Sequence, residues 1–197
     1  MIYGIIGAVF GGMLAGFLWL GPGARPALDT IVTIALSFMV FFVGLDIGGN
    51  KEALFRLKVL GWRVLLVPLS IIGGTLFGAG LGSIALNMPL KEGLAVGAGL
   101  GWYSLAGVMI GQLYSVELGT VAFLTNVMRE LFSFLLIPLL VGFVGSIAAI
   151  APGGATTMDS TLPVIMRSTD ADTSIIAFLS GLTLTIIIPF VIPLCLG

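Results

Sequence analysis

Long apolar runs, separated by short polar or glycine- and proline-rich stretches, dominate the chain from end to end. A helix needs about 20 apolar residues to cross the hydrocarbon core of a bilayer, and most of these runs are close to that length. The pattern predicts membrane segments at residues of about 2–20, 29–47, 59–86, 91–114, 117–145, 151–167 and 174–196. We therefore expect an all-α fold, a polytopic membrane helix bundle of about seven membrane segments in one domain over residues 1–197.

The segment at 151–167 is too polar and too rich in glycine and proline for an ordinary span, so we expect a broken helix there. It can cross the membrane, or it can dip in and return to the same side. The basic residues of 51–63 mark the cytoplasmic face, and a crossing would bring Arg167 to that face as well. We favour the crossing, with the N-terminus in the cytoplasm and the C-terminus outside.

Composition narrows the chemistry. Hydrophobic residues make up 58% of the chain and charged residues 9%, against about 45–50% and 25% in soluble domains. A net charge of −1 without a basic tail argues against nucleic-acid binding. With no histidine and a single cysteine, Cys195, the chain has no His/Cys metal site and no internal disulfide. We expect no metal, no cofactor and, because motifs of intramembrane enzymes are absent, no enzymatic activity.

Glycines recur at a spacing of four residues, which places them on one face of a helix. The sets are Gly7/Gly11, Gly12/Gly16, Gly74/Gly78/Gly82 and Gly93/Gly97/Gly101. Small residues at this spacing let neighbouring helices approach closely. The spacing is explained either by tight packing alone or by surfaces that slide as a bundle moves.

Charged and amide residues inside a span are informative, because a charge at mid-bilayer costs about 2.5–3.5 kcal/mol on insertion scales. In the segment at 117–145, Asn126, Glu130 and Ser133 follow one stripe of the helix. Arg129 points about 100° away from Glu130, so we expect these two residues to find partners on other helices. Glu130 and Arg129 are each either binding residues or structural ones.

Asp159 lies in the broken segment, among hydroxyl residues that include Thr156 and Thr157. Unpaired backbone at membrane depth is tolerated only in buried protein or beside a water-filled cavity, and broken helices are typical of transporter substrate sites. The Asp159 carboxylate offers a charge that a cation or a proton could neutralise. The alternative is a buried ion pair between Asp159 and Arg129.

An aromatic pair, Trp102 and Tyr103, precedes Ser104 in the middle of the segment at 91–114, far from the interfacial belts where such rings usually lie. These residues either line a pathway, where an aromatic face can hold an ammonium group, or pack in the core.

Three ordered motifs resemble the lysine exporter family of prokaryotic membrane proteins, and the likeness extends over nearly the whole chain. The motifs are residues 101–107 (GWYSLAG), Asn126 with 129–131 (REL), and 154–159 (GATTMD) with 161–164 (TLPV). The resemblance implies inverted repeats with crossing broken helices, as in cation/proton antiporters and bile-acid symporters. Full-length members of the family have additional helices before the matching region. The resemblance therefore also implies a small membrane partner of about three helices, or a homodimer.

The resemblance further implies a transporter in the prokaryotic cytoplasmic membrane that exports L-lysine or related cationic analogues by proton-coupled antiport with alternating access. Asp159 and Glu130 would take turns holding the substrate's cationic side chain and a proton. The substrate's carboxylate would meet Arg129 or the helix break at Gly153 and Gly154. Alternatives are a monovalent-cation/proton antiporter, an organic-anion symporter, or a non-transporting membrane subunit. The candidate binding residues are Asp159, Glu130, Arg129, Asn126, Trp102, Tyr103, Ser104, Thr156 and Thr157.

Overall fold

The computed structural model describes residues 61–197 continuously, apart from the side chain at position 63. Before them it describes only positions 11–12, 14–16, 18, 30–31, 34 and 38. The chain divides into two compact units, Met1–Leu54 and Phe55–Gly197. In the first unit the described positions are helical. Most of the segments predicted at 2–20 and 29–47 lie outside the described residues, and a single domain over residues 1–197 stays a prediction.

In the second unit, every regular element within residues 61–197 is helical, which confirms the all-α prediction for this part. The α-helices are α1 (Leu66–Ala85), α2 (Leu90–Gly97), α3 (Tyr103–Leu113), α4 (Val116–Val144), α5 (Ser146–Ala149), α6 (Leu162–Ser168) and α7 (Ala171–Leu196), and the 3₁₀ turns are Gly61–Leu65 and Gly154–Met158. Three of these helices, α1, α4 and α7, are long and apolar enough to cross a membrane. The total of about seven membrane segments stays a prediction.

The two longest helices begin at polar caps. Ser115 accepts a hydrogen bond from the Leu118 N–H at the start of α4, at 3.2 Å. Asp170 accepts bonds from both the N–H and the hydroxyl of Thr173 at the start of α7, each at 2.8 Å. The bond from the Thr173 N–H, assisted by the hydroxyl, holds the pKa of Asp170 below its usual value. These caps satisfy N–H groups that have no partner within a helix.

The prediction of one continuous helix over residues 91–114 is wrong, because the chain leaves the helical conformation between α2 and α3. Leu100 and Gly101 have φ angles of 47° and 98°, and neither angle is compatible with a right-handed helix. Trp102 and Tyr103 therefore lie at a break and not inside a regular span. The segment contains no proline, and its glycines at 97, 99 and 101 are equally compatible with close helix packing, so the sequence alone does not mark this break.

The segment containing α2 and α3 folds back on itself as a hairpin, here called hairpin 1 (residues 90–114). The Tyr114 hydroxyl donates to Glu92 Oε1 at 2.7 Å, and Lys91 Nζ lies 5.0 Å from the centre of the Tyr114 ring. In a straight helix, positions 92 and 114 would be about 33 Å apart. Both ends of hairpin 1 therefore lie on one side of the unit, next to the end of α1.

The segment from 145 to 170, here called hairpin 2, also begins and ends on one side. Its two ends line a cavity of about 790 Å³, together with the first turns of α1 and α7. The cavity is lined by Gly145 and Ser146 at one end of hairpin 2, by Asp170 and Thr173 at the other end and the start of α7, and by Leu66 and Val67 of α1. Its 3₁₀ turn packs against Gly181, which is about 15 Å along α7 from Ala171. These contacts support the re-entrant alternative over the crossing that we favoured for 151–167.

The two hairpins enter from opposite ends of α1 and meet at their tips. The first turn of α1 lies beside the ends of hairpin 2, and its last turn leads into hairpin 1. The Ala155 N–H donates to the Leu100 carbonyl at 2.8 Å, joining the tips. Along hairpin 1, a Cβ added to Gly97 would lie 2.5 Å from the Ala79 Cβ, so this glycine face packs closely against α1.

The hairpin arrangement predicts which positions share a face of the membrane. We expect Leu86→Cys and Val116→Cys, both at exposed positions and in a background with Cys195→Ser, to react with an impermeant maleimide from the same side. Ile147→Cys should react only from the other side. A continuous membrane-crossing helix over 91–114 predicts instead that positions 86 and 116 are labelled from opposite faces, and that result would contradict the hairpin.

Candidate functional site

The tips of the two hairpins approach so closely that glycine is required in both. Gly101 and Gly154 have positive φ angles of 98° and 59°, a region that side chains disfavour. A Cβ on Gly154 would collide with the Leu100 carbonyl, and one on Gly101 would lie 3.0 Å from the Gly153 carbonyl. The contact between the tips is therefore a contact between backbones.

Asn126 of α4 fixes the tip of hairpin 1. Its Oδ1 accepts from the Gly101 N–H at 2.8 Å, and its Nδ2 donates to the carbonyls of Val96 at 3.1 Å and Ala122 at 2.9 Å. The side chain is 2% exposed. Both donors are thus occupied by backbone, and Asn126, predicted as a binding residue, holds the break in place.

Arg129, one turn further along α4, fixes hairpin 2 in a similar way. Its Nε donates to the Pro152 carbonyl at 2.9 Å and its Nη2 to the Ala151 carbonyl at 3.1 Å. The Arg129 guanidinium group is largely buried, and no carboxylate among residues 61–197 pairs with it. The structure therefore does not contain the ion pair between Arg129 and Asp159 that the sequence left open as an alternative.

Threonine hydroxyls inside hairpin 2 are occupied by its own backbone and by α7. Thr156 donates to the Gly153 carbonyl at 2.8 Å and lies 3.2 Å from the Thr161 hydroxyl. The Thr157 hydroxyl lies 2.8 Å from the Gly154 carbonyl and 2.7 Å from the Ala177 carbonyl, and its single proton is shared between these two acceptors. Thr156 and Thr157 were both predicted to bind substrate, and the structure shows them buried and bonded within the protein.

The two predicted carboxylates, Glu130 and Asp159, come together beside the tips. Asp159 Oδ1 accepts from the N–H of Ser160 and, at 3.2 Å, from its hydroxyl. The Glu130 and Asp159 charges are close enough to interact, and the Ser160 side chain lies near Glu130 as well. Sequence reasoning overlooked Ser160, although it lies in the hydroxyl-rich run and directly follows Asp159.

Of the aromatic motif, Tyr103 is the residue that reaches the carboxylates. Its ring packs edge-on against Phe123, with the ring centroids 5.5 Å apart. Its hydroxyl group lies close enough to Glu130 and Asp159 to interact electrostatically with both carboxylates. Trp102 is partly buried against the main apolar core. Ser104 is half-buried, and no described contact joins it to the two carboxylates.

The site therefore consists of two acidic side chains, a hydroxyl and an aromatic ring, halfway between the ends of the long helices. Within the described residues no group of three potential metal ligands occurs. Carboxylates and an aromatic ring suit an organic ammonium group or a proton. Broken helices that meet beside buried acidic residues are typical of membrane transport proteins.

Comparison with known proteins gives the family. The family model described as Lysine exporter LysO matches residues 6–196, and the chain belongs to this family. It is 30% identical to the lysine exporter LysO of Escherichia coli over 188 residues, which are 95% of this chain and 60% of that protein. It is 32% identical to a putative lysine exporter of Haemophilus influenzae over 192 residues, 95% of this chain and 92% of the relative. No solved structure matches.

Removing the Arg129 side chain should destabilise the protein. Arg129→Ala would remove the described side-chain donor of the Pro152 carbonyl and one of the two donors of the Ala151 carbonyl, which keeps the Gly154 N–H, at a cost of about 1–3 kcal/mol in unfolding free energy. Thermal unfolding in detergent measures this loss, with Met128→Ala, at an exposed position of the same helix, as the control. Glu130→Gln should unfold near the wild-type temperature. A stable Arg129→Ala with an unfolded Glu130→Gln would contradict this division of roles.

The tip contact gives a second prediction. Gly154→Ala should separate the tips or unfold hairpin 2, because its Cβ would meet the Leu100 carbonyl. Gly142→Ala in α4, where nothing lies within 4 Å of the added Cβ, should be neutral. Melting temperature and proteolysis of the two variants measure the difference, and equal stability would show that the tips do not need to touch.

Proposed function

We propose that the protein exports lysine and that the cationic side chain of the substrate binds at Glu130 and Asp159. The observation that carries this proposal is the convergence of the two carboxylates beside the hairpin tips, with Tyr103 next to them. Neither carboxylate has an arginine or lysine partner among the side chains that the structure describes. The names of the two relatives support lysine as the substrate.

The acidic pair supports coupling to protons. An ionised carboxylate inside a membrane is costly unless a cation or a proton neutralises it. A lysine ammonium and a proton therefore compete for the same oxygens, and an entering proton displaces the leaving substrate. Antiport driven by the proton gradient follows from this competition.

Alternating access fits the two opposed hairpins. Each hairpin begins on its own side, and their tips meet next to the carboxylates. We propose that movement at one tip opens the site to one face while the other hairpin keeps the second face closed.

The groups first considered for the substrate's carboxylate are occupied. Arg129 donates to two carbonyls of hairpin 2, and the N–H groups of Gly153 and Gly154 donate to the carbonyls of Ile150 and Ala151. Recognition of the carboxylate by any of these groups would first require one of these bonds to break.

The chain matches 60% of the length of the Escherichia coli protein and 92% of the length of the Haemophilus influenzae relative. A small partner of about three helices or a second copy of the chain, and residence in a prokaryotic cytoplasmic membrane, belong to the proposal. A purely structural subunit would not need two acidic residues beside a helix break. In an organic-anion symporter, these carboxylates would repel the anionic substrate.

Lysine efflux from proteoliposomes, with and without a pH gradient, tests the function. Asp159→Asn and Glu130→Gln should each lower efflux by about tenfold or more, equivalent to at least 1.4 kcal/mol in the transport barrier. Glu117→Gln, at an exposed position of the same helix as Glu130, is the control and should transport normally. Sodium or potassium flux without lysine flux would favour the cation antiporter.

The same experiment can reject the proposal. Full lysine efflux by Asp159→Asn, at the wild-type expression level, would show that this carboxylate is not part of the coupling site.

A further inference from the structure

The cavity where hairpin 2 begins and ends is separate from the carboxylate site. Its volume of about 790 Å³ is within the range of small-molecule sites, which have volumes of about 300–1,000 Å³. Its walls are mainly apolar, with Leu66 and Ile71 from α1 and Ile147 from α5. Ser70 and Asp170 add polar groups. The lining therefore suits a small molecule that has both an apolar and a charged part.

Asp170 is the charged residue of this lining. Its carboxylate accepts from the N–H and the hydroxyl of Thr173, each at 2.8 Å, and these bonds keep the pKa of Asp170 below its usual value. None of the described basic side chains forms an ion pair with it. A carboxylate can accept about four hydrogen bonds, so its bonds to Thr173 leave room for a cation.

The distribution of basic residues indicates which side of the membrane the cavity faces. Lysine and arginine are enriched in cytoplasmic segments within about 15–20 residues of a span. Of the eight basic residues in the chain, four lie in positions 51–65, directly before α1, and Arg167 lies near the end of hairpin 2. The ends of hairpin 1, on the opposite side, have Lys91. This bias favours the cytoplasmic side for the cavity, and a substrate for export arrives from that side.

Ala151 connects the cavity to the helix that carries Glu130. Ala151 lines the cavity, and its carbonyl accepts from Arg129 Nη2 at 3.1 Å. The carbonyl of the next residue, Pro152, accepts from Arg129 Nε at 2.9 Å. Arg129 directly precedes Glu130 in α4. Because these bonds join the cavity wall to α4, a movement of the wall away from α4 would break them.

We propose that this cavity is the cytoplasmic vestibule for lysine and that Asp170 attracts the ammonium group of the substrate there, an inference that rests on the proposed function. The apolar walls pack against the four-carbon stem of lysine. The same carboxylate would repel the phosphate of a lipid, so charge complementarity favours a cationic amino acid as the occupant. Asp170 raises the local concentration of substrate, whereas Glu130 and Asp159 exchange the substrate for a proton.

Efflux kinetics in proteoliposomes test the role of Asp170. Asp170→Asn removes the charge but keeps a side chain that caps a helix equally well, and Asp170→Ser, also a good cap, replaces it if it does not fold. The variant should raise the KM for lysine by about threefold at an unchanged kcat, the size expected for one exposed ion pair. High salt should remove this difference, because it screens exposed charges. The control Glu117→Gln, in the first turn of α4, should keep the wild-type KM.

Alkylation by N-ethylmaleimide in detergent, in the Cys195→Ser background, tests whether lysine occupies the cavity. Ser70 and Ser174 each donate to the carbonyl four residues earlier, and of the two Ser70 lines the cavity. Lysine should slow the alkylation of Ser70→Cys, by about twofold when half of the sites are filled. Norleucine, which lacks the side-chain ammonium, should not slow it. Ser174→Cys should react at the same rate with and without lysine.

The two experiments separate this inference from the proposed function. Alkylation of Ser70→Cys that is independent of lysine would overturn the vestibule, as would alkylation slowed by dihexanoyl phosphatidylcholine and not by lysine. An unchanged KM for Asp170→Asn would overturn the role of Asp170. In each case, inactive Asp159→Asn would leave the carboxylate site standing. Normal transport by Asp159→Asn and Glu130→Gln would instead overturn the proposed function itself.

Discussion

A helix that breaks inside a membrane releases backbone groups, and these groups must find partners within the protein because lipid offers none. The rest of this structure depends on how that requirement is met. Leu100 and Ala155 join the two breaks directly. Asn126 and Arg129 supply side-chain partners to one hairpin each. Because both side chains belong to α4 and lie three residues apart, a single helix fixes the position of both tips.

Polar residues near the tips consequently fall into two groups. Asn126, Arg129, Thr156 and Thr157 use their hydrogen bonds on backbone, which explains their presence without any ligand. Glu130 and Asp159 cannot serve a backbone carbonyl when ionised, because a carboxylate only accepts hydrogen bonds. The residues that hold the tips together leave the two acids beside them without a basic partner among the described residues.

The sequence predicts one of the two breaks and not the other, for a physical reason. Proline, glycine and polar residues together mark the segment at 151–167, whereas the break at Leu100 lies in an apolar run that has glycines at 97, 99 and 101 but no proline. Leu100 adopts its left-handed conformation in contact with Ala155, which is distant in the sequence. Likewise, the cost of burying a charge identifies Glu130 and Asp159 as candidates. That these two charges come close enough to interact depends on tertiary packing, which no local pattern encodes.

A segment that returns to its starting face leaves the parity of the topology unchanged, whereas interpreting it as a single crossing changes that parity by one. Reading both hairpins as crossings reverses the direction of α4, which lies between them, yet leaves α7 pointing the same way. The two errors cancel before the C-terminus. Locating the C-terminus therefore cannot distinguish the two topologies. A charge bias counted only over the ends of the chain likewise gives no information about the orientation of α4, the helix that carries Glu130.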